Sequence, residues 1–338
     1  MIRKLIFIIL AICVVNVAAQ EQTSFRVMFY NVENLFDTQK EPGKNDSEFL
    51  PGAIRAWSQN RYKQKLTNIS RVITAVGEWV PPALVGLCEV ENDRVLRDFT
   101  QYSPLKNHDY RYVMTDSPDD RGIDVALLYQ RHQFKLLDHQ SISVSLDGRA
   151  TRDILHVTGL VVTRDTLDVF VVHFPSRSEG AKKTEPRRLH AAHILRNTVD
   201  SLFSIRNQAR IIIMGDFNDY PNNRSLKEVL AARLPEEVPG SNTLYQLLAN
   251  YLRKTGYGSY NYQGEWGQLD HIIVSGLLLD SGKRFYTTED SAKIFRAPFL
   301  LIPNEKYGGE RPFRTYYGMK YEGGYSDHLP VYTDFMIR

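Results

Sequence analysis

Eight short apolar runs, each bordered by a polar residue, constrain this chain more than any other feature of its sequence. They are FRVMFYNV (25–32), ALVGLC (83–88), IDVALLY (123–129), ILHVTGLVV (154–162), TLDVFVVHF (166–174), RIIIMGDF (210–217), HIIVS (271–275) and LPVYTDFMI (329–337). All have the length and β-branched content of strands. Several alternate, and several are apolar throughout, as strands buried on both faces are. Two helical stripes lie between them. Leu66, Ile69, Ile73, Val76 and Val80 predict a helix from about Arg61 to Trp79. Leu189, Ala192, Leu195, Val199 and Leu202 predict a second, capped near Thr184 two residues before Pro186. Strands outnumber helices and often follow one another directly. That predicts an α/β fold of packed sheets with helices outside, not a simple βαβ alternation. No repeat, low-complexity tract or Pro/Ser-rich linker breaks residues 20–338, which read as one domain. Loops at 33–60, 175–185, 239–268 and 281–325 are long enough to carry function.

The first twenty residues, MIRKLIFIILAICVVNVAAQ, follow a different logic. A basic start, an apolar run from Leu5 to Val15 and small residues at Ala18 and Ala19 form the pattern of a secretory signal, cut before Gln20. The apolar run is shorter than the roughly 20 residues that cross a bilayer. Residues 1–19 are therefore expected to be a signal peptide, and the mature protein periplasmic, outer-surface or extracellular. A lipoprotein reading at Cys13 is weakened by Ile12, which is not small. Removing Arg3 and Lys4 takes the formal net charge from +3 to +1 (3 − 2), so global charge does not select a polyanionic partner. Cys88 is then alone, and no internal disulfide can form. A hydrophobic content of 43% with 24% charged residues excludes global disorder.

The polar residues at the strand ends share a character. Asn31 and Glu33 end the first run, Glu89 the second and His173 the fifth; Asp216 and Asn218 follow the sixth, Asp270 opens the seventh, and Asp327 with His328 opens the last. Singly, a carboxylate after a strand is most often a turn former, His173 a satisfied buried histidine, and Cys88 inert core. Together, so many carboxylates at one end of a sandwich would repel unless a cation sat among them. Oxygen donors suit magnesium, manganese or calcium. No HExxH or paired-cysteine zinc pattern, GxSxG elbow or Walker phosphate loop is present.

In order along the chain, FYNVENLFD, GLCEVEN, RGIDVALLY, VVHFPSR, IIMGDFND, LDHIIVS and YSDHLPVY resemble the endonuclease/exonuclease/phosphatase superfamily. This deoxyribonuclease I-like group includes abasic-site endonucleases, neutral sphingomyelinases and inositol-polyphosphate 5-phosphatases. NVENLFD, DHIIVS and the aromatic loops look like its secreted Bacteroides-type branch. The resemblance runs from about Phe25 to Phe335. It implies a four-layered α/β/β/α sandwich of two mixed, mostly antiparallel sheets with outer helices. It also implies a magnesium site, with manganese or calcium as alternatives, at Glu89, Asn31, Glu33 and Asp327. Asp216 would activate the attacking water and Asn218 hold a phosphate oxygen. Asp270 would orient His328, which donates to a phosphoryl oxygen, and His173 would lie near the leaving oxygen.

The substrate is less legible. FPSRSEGAKKTEPRRLH after His173 reads either as a binding segment for an anion or as a solvated helix start. Arg177 and Arg188 there, and Arg314 in the last long loop, are the candidate substrate-binding residues. Tyr257, Tyr260, Tyr262 and Trp266 precede Asp270; Tyr307, Phe313, Tyr316, Tyr317, Tyr321 and Tyr325 precede Ser326. These aromatics either stack bases at a site mouth or pack the loops together. The resulting expectation is an exported, metal-dependent phosphodiesterase acting on nucleic acid. The alternative is a phospholipid or inositol-phosphate hydrolase, sphingomyelinase-like or 5-phosphatase-like, for which APFLLIP (297–303) offers an apolar loop, though the stretch reads equally as core. A non-catalytic binding protein is the remote one, and no obligate protein partner is evident.

Overall fold

Burial on both faces is what makes the strand runs continuously apolar. The computed structural model describes residues 24–146, 148 and 150–338, so the leader expected at 1–19 lies outside the described residues. Strands β1 (Ser24–Leu35), β2 (Leu84–Val90), β3 (Tyr110–Met114) and β4 (Asp124–Gln130) form one sheet with the C-terminal strand Val331–Ile337 and two short edge pieces. Strands β5 (Phe134–Ile142), β6 (Ile154–Val161), β7 (Thr166–His173) and β8 (Ile211–Asp216) form the other, extended by Asp270–Ser275, Leu244–Gln246 and Ala232–Arg233. Both sheets are mixed: β1–β2 and β7–β8 run parallel, while most other neighbours are antiparallel.

The pleat sorts side chains between layers. Ile212 and Met214 of β8, with Val169 and Val171 of β7, turn toward the first sheet. Ile211, Ile213, Phe170 and Val172 turn the other way, onto helix Ala181–Ile205 and its buried Ala191, Ala192, Leu195, Val199 and Leu202. The opposite outer layer holds α1 (Gln59–Gly77) and α2 (Asp93–Gln101), whose Leu66, Ile69, Ile73, Val95 and Phe99 cover the first sheet. The helix Ala181–Ile205 is α3. Two helical layers outside, two sheets inside: the expected four-layered sandwich is the observed one.

Some expectations shift. Ser58 caps α1 by accepting from the Arg61 N–H at 3.4 Å, so the helix begins earlier and stops at Gly77, where Glu78 takes φ 57°. Helix α3 begins at Ala181 after Gly180 (φ 103°). Thr184 is therefore not its cap but lies in the first turn, donating to Gly180 O, and Pro186 lies inside the helix. Elements α2, β3 and β5 were not foreseen. Strand β5 is an edge with mostly exposed residues, so it has no apolar run to reveal it. APFLLIP is no exposed loop: Leu300 is buried, and Arg71 covers Phe299 at 4.4 Å. No helix among the described residues is long and apolar enough to cross a membrane.

Candidate active site

Strand register gathers the polar ends. Asn31 of β1 pairs with Cys88, so Asn31 and Glu89 end adjacent parallel strands. In the other sheet Asp216 is flanked by His173 in parallel and Asp270 in antiparallel register. Ser326 ties the final loop to the first sheet by donating to Asn31 O at 2.7 Å, and its hydroxyl accepts the His328 N–H at 3.1 Å. Several of these residues leave the extended backbone abruptly: Glu33, Glu89 and Asn218 have φ of 49°, 64° and 50°. Left-handed backbone at such residues costs roughly 1–3 kcal/mol each, and is kept where surrounding contacts hold it.

Asn31 links the two sheets. Its Nδ2 lies 3.2 Å from Asp216 Oδ2 and 3.4 Å from Glu89 Oε1. Glu89 Oε2 accepts the Asn34 N–H at 2.8 Å, and Asp216 Oδ1 accepts the Asn218 N–H at 2.8 Å. His173 Nε2 stands 3.7 Å from Asp216 Oδ2 and 4.0 Å from Glu89 Oε1. On the other side, His328 Nε2 is 3.9 Å from Asp216 Oδ2 while its Nδ1 bonds Asp270 Oδ2 at 2.7 Å. Asn218 donates one amide hydrogen to Phe174 O at 3.0 Å, leaving a second. Glu89, His173, Asp216, Asn218, Asp327 and His328 border a single cleft of about 550 Å³.

The electrostatics divide the two histidines. Burial would lower His328, but the charge of Asp270 and its hydrogen bond, helped by Asp216 and Asp327, push it up to about 10. His173 is held well below 6.5 by burial, then by Arg152, Arg121 and His328. One is a cation near neutrality and the other is not. Burial also raises Asp216 to about 7, with Asp270 and Glu89 adding to it against the opposing pull of His328. A cation beside Asp216 would pull it back down.

The donor set fits a hard divalent cation. Glu89 Oε1 and Asp216 Oδ2 face the same cleft and share the Asn31 amide between them. Ligand atoms of Asp216, Asp270 and His328 also lie within 4.8 Å of one another. The 2.7 Å bond between Asp270 and a protonated His328 makes that trio a poorer ligand set than the carboxylates at Glu89 and Asp216.

Four expected site residues are placed otherwise. Glu33, 4% exposed, spends both oxygens on Arg314 Nε (3.1 Å) and the Thr315 N–H (2.7 Å), outside the cleft. Arg314 is correspondingly bound between Glu33 and Asp327 Oδ2 (2.9 Å) and does not border the cleft. Lys65 lies buried beneath, bonded to Thr315 and to Tyr325 O. These two acids and two cations form a largely buried cluster that fixes the final loop, so both Glu33 oxygens are taken and Arg314 is held by two carboxylates away from the cleft. Arg188 is 1% exposed and paired with Asp219 at 2.8 Å, so it cannot reach substrate. Asn31 presents its N–H to the carboxylates while its Oδ1 accepts the Glu33 N–H at 2.9 Å, so it acts as a bridge more than a ligand. Arg177 does border the cleft, its guanidinium 4.7 Å above the Tyr220 ring.

Sequence reasoning missed Arg121, Ser176, Ser178 and Tyr220, which also line the cleft. Arg121 stands in the quoted RGIDVALLY motif, and Tyr220 follows GDFND; both were within reach of a closer reading. Tyr260 packs on the His328 ring at 4.9 Å, and Tyr262 stands beside it, 62% exposed.

Comparison with known proteins gives the same architecture. No curated protein matches the chain by sequence. An endonuclease/exonuclease/phosphatase family protein from Bacteroides thetaiotaomicron is similar at TM-score 0.58 and 17% identity, covering 94% of this chain and 99% of that one. A mannosyl-6-phosphatase of Bacteroides thetaiotaomicron VPI-5482 is similar at TM-score 0.58 and 17% identity, covering 93% and 100%. The human Nocturnin catalytic domain with bound sulfate gives TM-score 0.53 and 17% identity over 93% and 95%. Likeness at such identity carries the fold. The sequence model of the Endonuclease/Exonuclease/phosphatase family matches residues 26–337, nearly the whole of the described chain, and the chain therefore belongs to that family of metal-dependent phosphoester hydrolases.

Proposed function

We propose that this protein is an exported, magnesium-dependent phosphodiesterase that cuts nucleic acid by in-line attack of water. The observation that carries the reaction is the grouping of Glu89, Asp216, neutral His173 and cationic His328 around one cleft. A divalent ion, magnesium or else manganese or calcium, would be held at Glu89 beside Asp216 and would supply neutralisation of phosphoryl charge. Asp216, held as a carboxylate once a cation stands beside it, is placed to take a proton from the attacking water. Asn31 and the Asn218 N–H fix which of its oxygens faces the cleft. His328, kept protonated and oriented by Asp270, donates from Nε2 to a phosphoryl oxygen as charge develops. Asn218 has its second amide hydrogen for another. The water oxygen–phosphorus bond forms as Asp216 takes the water's proton, the ester P–O bond opposite it breaks, and the leaving oxygen takes its proton from solvent.

For the substrate, Tyr220, Tyr260 and Tyr262 give faces on which bases stack, and Arg121 with Arg177 can meet the flanking phosphates. A second reading, a phosphate monoester of a sugar, is favoured by the bounded size of the cleft and by the fold shared with a mannosyl-6-phosphatase. The test is product release from single- and double-stranded DNA, RNA, mannose 6-phosphate, sphingomyelin and phosphoinositides, each with magnesium or chelator. Asp216→Asn and His328→Gln proteins are the controls. Chelator-sensitive cleavage of nucleic acid that both variants lose supports the first reading; release of phosphate from the sugar alone replaces it with the second.

A further inference from the structure

The end of the sandwich away from the cleft carries features that hydrolysis does not use. There the chain enters β1 at Ser24, α1 hands over to β2, β6 turns into β7, and the C-terminal strand finishes. At roughly 3.3 Å per residue of β1, this end lies about 20 Å from Asn31. Its apolar side chains are unusually bare. Trp79 is 96% exposed, Val80 57% and Val162 46%.

Val80 and Val162 line a groove of about 930 Å³ together with His132, Arg164, Arg284 and Arg338. No Asp or Glu side chain lines it. None of the three arginines has a carboxylate partner among the described residues, although most arginines elsewhere on the surface do; Arg338 is turned onto Ser281 O (2.8 Å) and Tyr286 Oη (3.0 Å), which leaves Arg164 and Arg284 as the freer cations. Arg164 sits in the β6–β7 turn at φ 63°, and Ser24, the first residue of β1, lines the same groove. An indole flanked by aliphatic side chains and rimmed by unpaired cations matches the chemistry of a bilayer interface with acidic headgroups. Tryptophan settles at the headgroup level, and each nearby arginine is attracted by the negative surface potential.

We propose that this end of the molecule docks on an anionic phospholipid surface, with Trp79, Val80 and Val162 entering the headgroup layer and Arg164 and Arg284 meeting lipid phosphates. The cleft then points away from the membrane. The docking is independent of what the cleft hydrolyses.

The test is flotation of purified residues 20–338 with phosphatidylcholine vesicles, with and without phosphatidylglycerol, at low and high salt. The protein should float with the acidic vesicles only and be released by salt. Tryptophan emission should shift to the blue on binding, a shift absent in Trp79→Phe. Arg164→Glu/Arg284→Glu should weaken binding at least tenfold, at about fivefold per arginine removed. Unchanged melting temperatures would show that both variants are folded. The proposal is overturned if the wild type does not float, floats equally on neutral vesicles, or is matched in affinity by the folded arginine variant.

Discussion

At Asp216 a carboxylate is buried between two histidines and two other acids, and its protonation couples the site to stability. In the unfolded chain it titrates near 3.8; folded and without a cation it titrates at about 7. Between those values the native state holds a proton that the unfolded state has released, so its contribution is full below pH 4 and lost as pH rises through 7. Urea unfolding of chelator-treated protein should show stability falling across that window, and magnesium should reverse the fall. Asp216→Asn should flatten it; an unaltered slope in that variant would remove Asp216 as its source. His328 adds a second fall, from its ordinary 6.5 to about 10, for the same reason. Replacing Asp270 by Asn removes the first cause of that elevation. It should cut turnover about 10²–10⁴-fold near neutral pH, with partial recovery in acid, where His328 regains its proton.

The pairing of elements decides which substitutions act on structure and which on chemistry. A Cβ at Gly215 would stand 2.2 Å from the Val172 carbonyl, prising β8 from β7 immediately behind Asp216 and His173. Gly215→Ala is expected to cost about 1–3 kcal/mol and to depress turnover by more than the folded fraction explains. Two arginines of one basic segment divide in the same way. Arg188 ties α3 to the turn after β8 through a buried bond to Asp219, so Arg188→Ala strands that carboxylate and should cost about 3–5 kcal/mol. Arg177→Ala should leave melting unchanged but raise KM and reduce its salt dependence. In one sequence these residues look equivalent, because basic residues near a helix start carry no mark of burial. Strand runs were legible for the opposite reason: burial on both faces writes itself as uninterrupted apolar residues. Edge strand β5 lacks that signature. Glu33 and Arg314 were misplaced because their cluster depends on a loop nearly three hundred residues away, which periodicity does not reach.

Over the whole molecule, β1 and the C-terminal strand set chemistry at one end and arginines without carboxylate partners at the other, since both strands run the length of the sheet. This opposition makes a demand on substrate that composition alone does not. If Trp79, Val80 and the groove arginines rest on a bilayer, the cleft opens away from it, and a lipid headgroup in that same bilayer cannot enter. Vesicle-bound protein should therefore turn over a soluble phosphate ester with kcat/KM within about twofold of the free protein, a difference of under 1 kcal/mol in transition-state free energy. It should leave phosphoinositide or sphingomyelin in the supporting vesicle intact. Hydrolysis of those lipids only when the protein is bound, lost together with binding in Arg164→Glu/Arg284→Glu, would place the cleft on the membrane side and contradict the opposition read from β1. Equal turnover of soluble ester, free and bound, would instead join the two ends into one design: a body held at a surface while its catalytic edge faces the surrounding water.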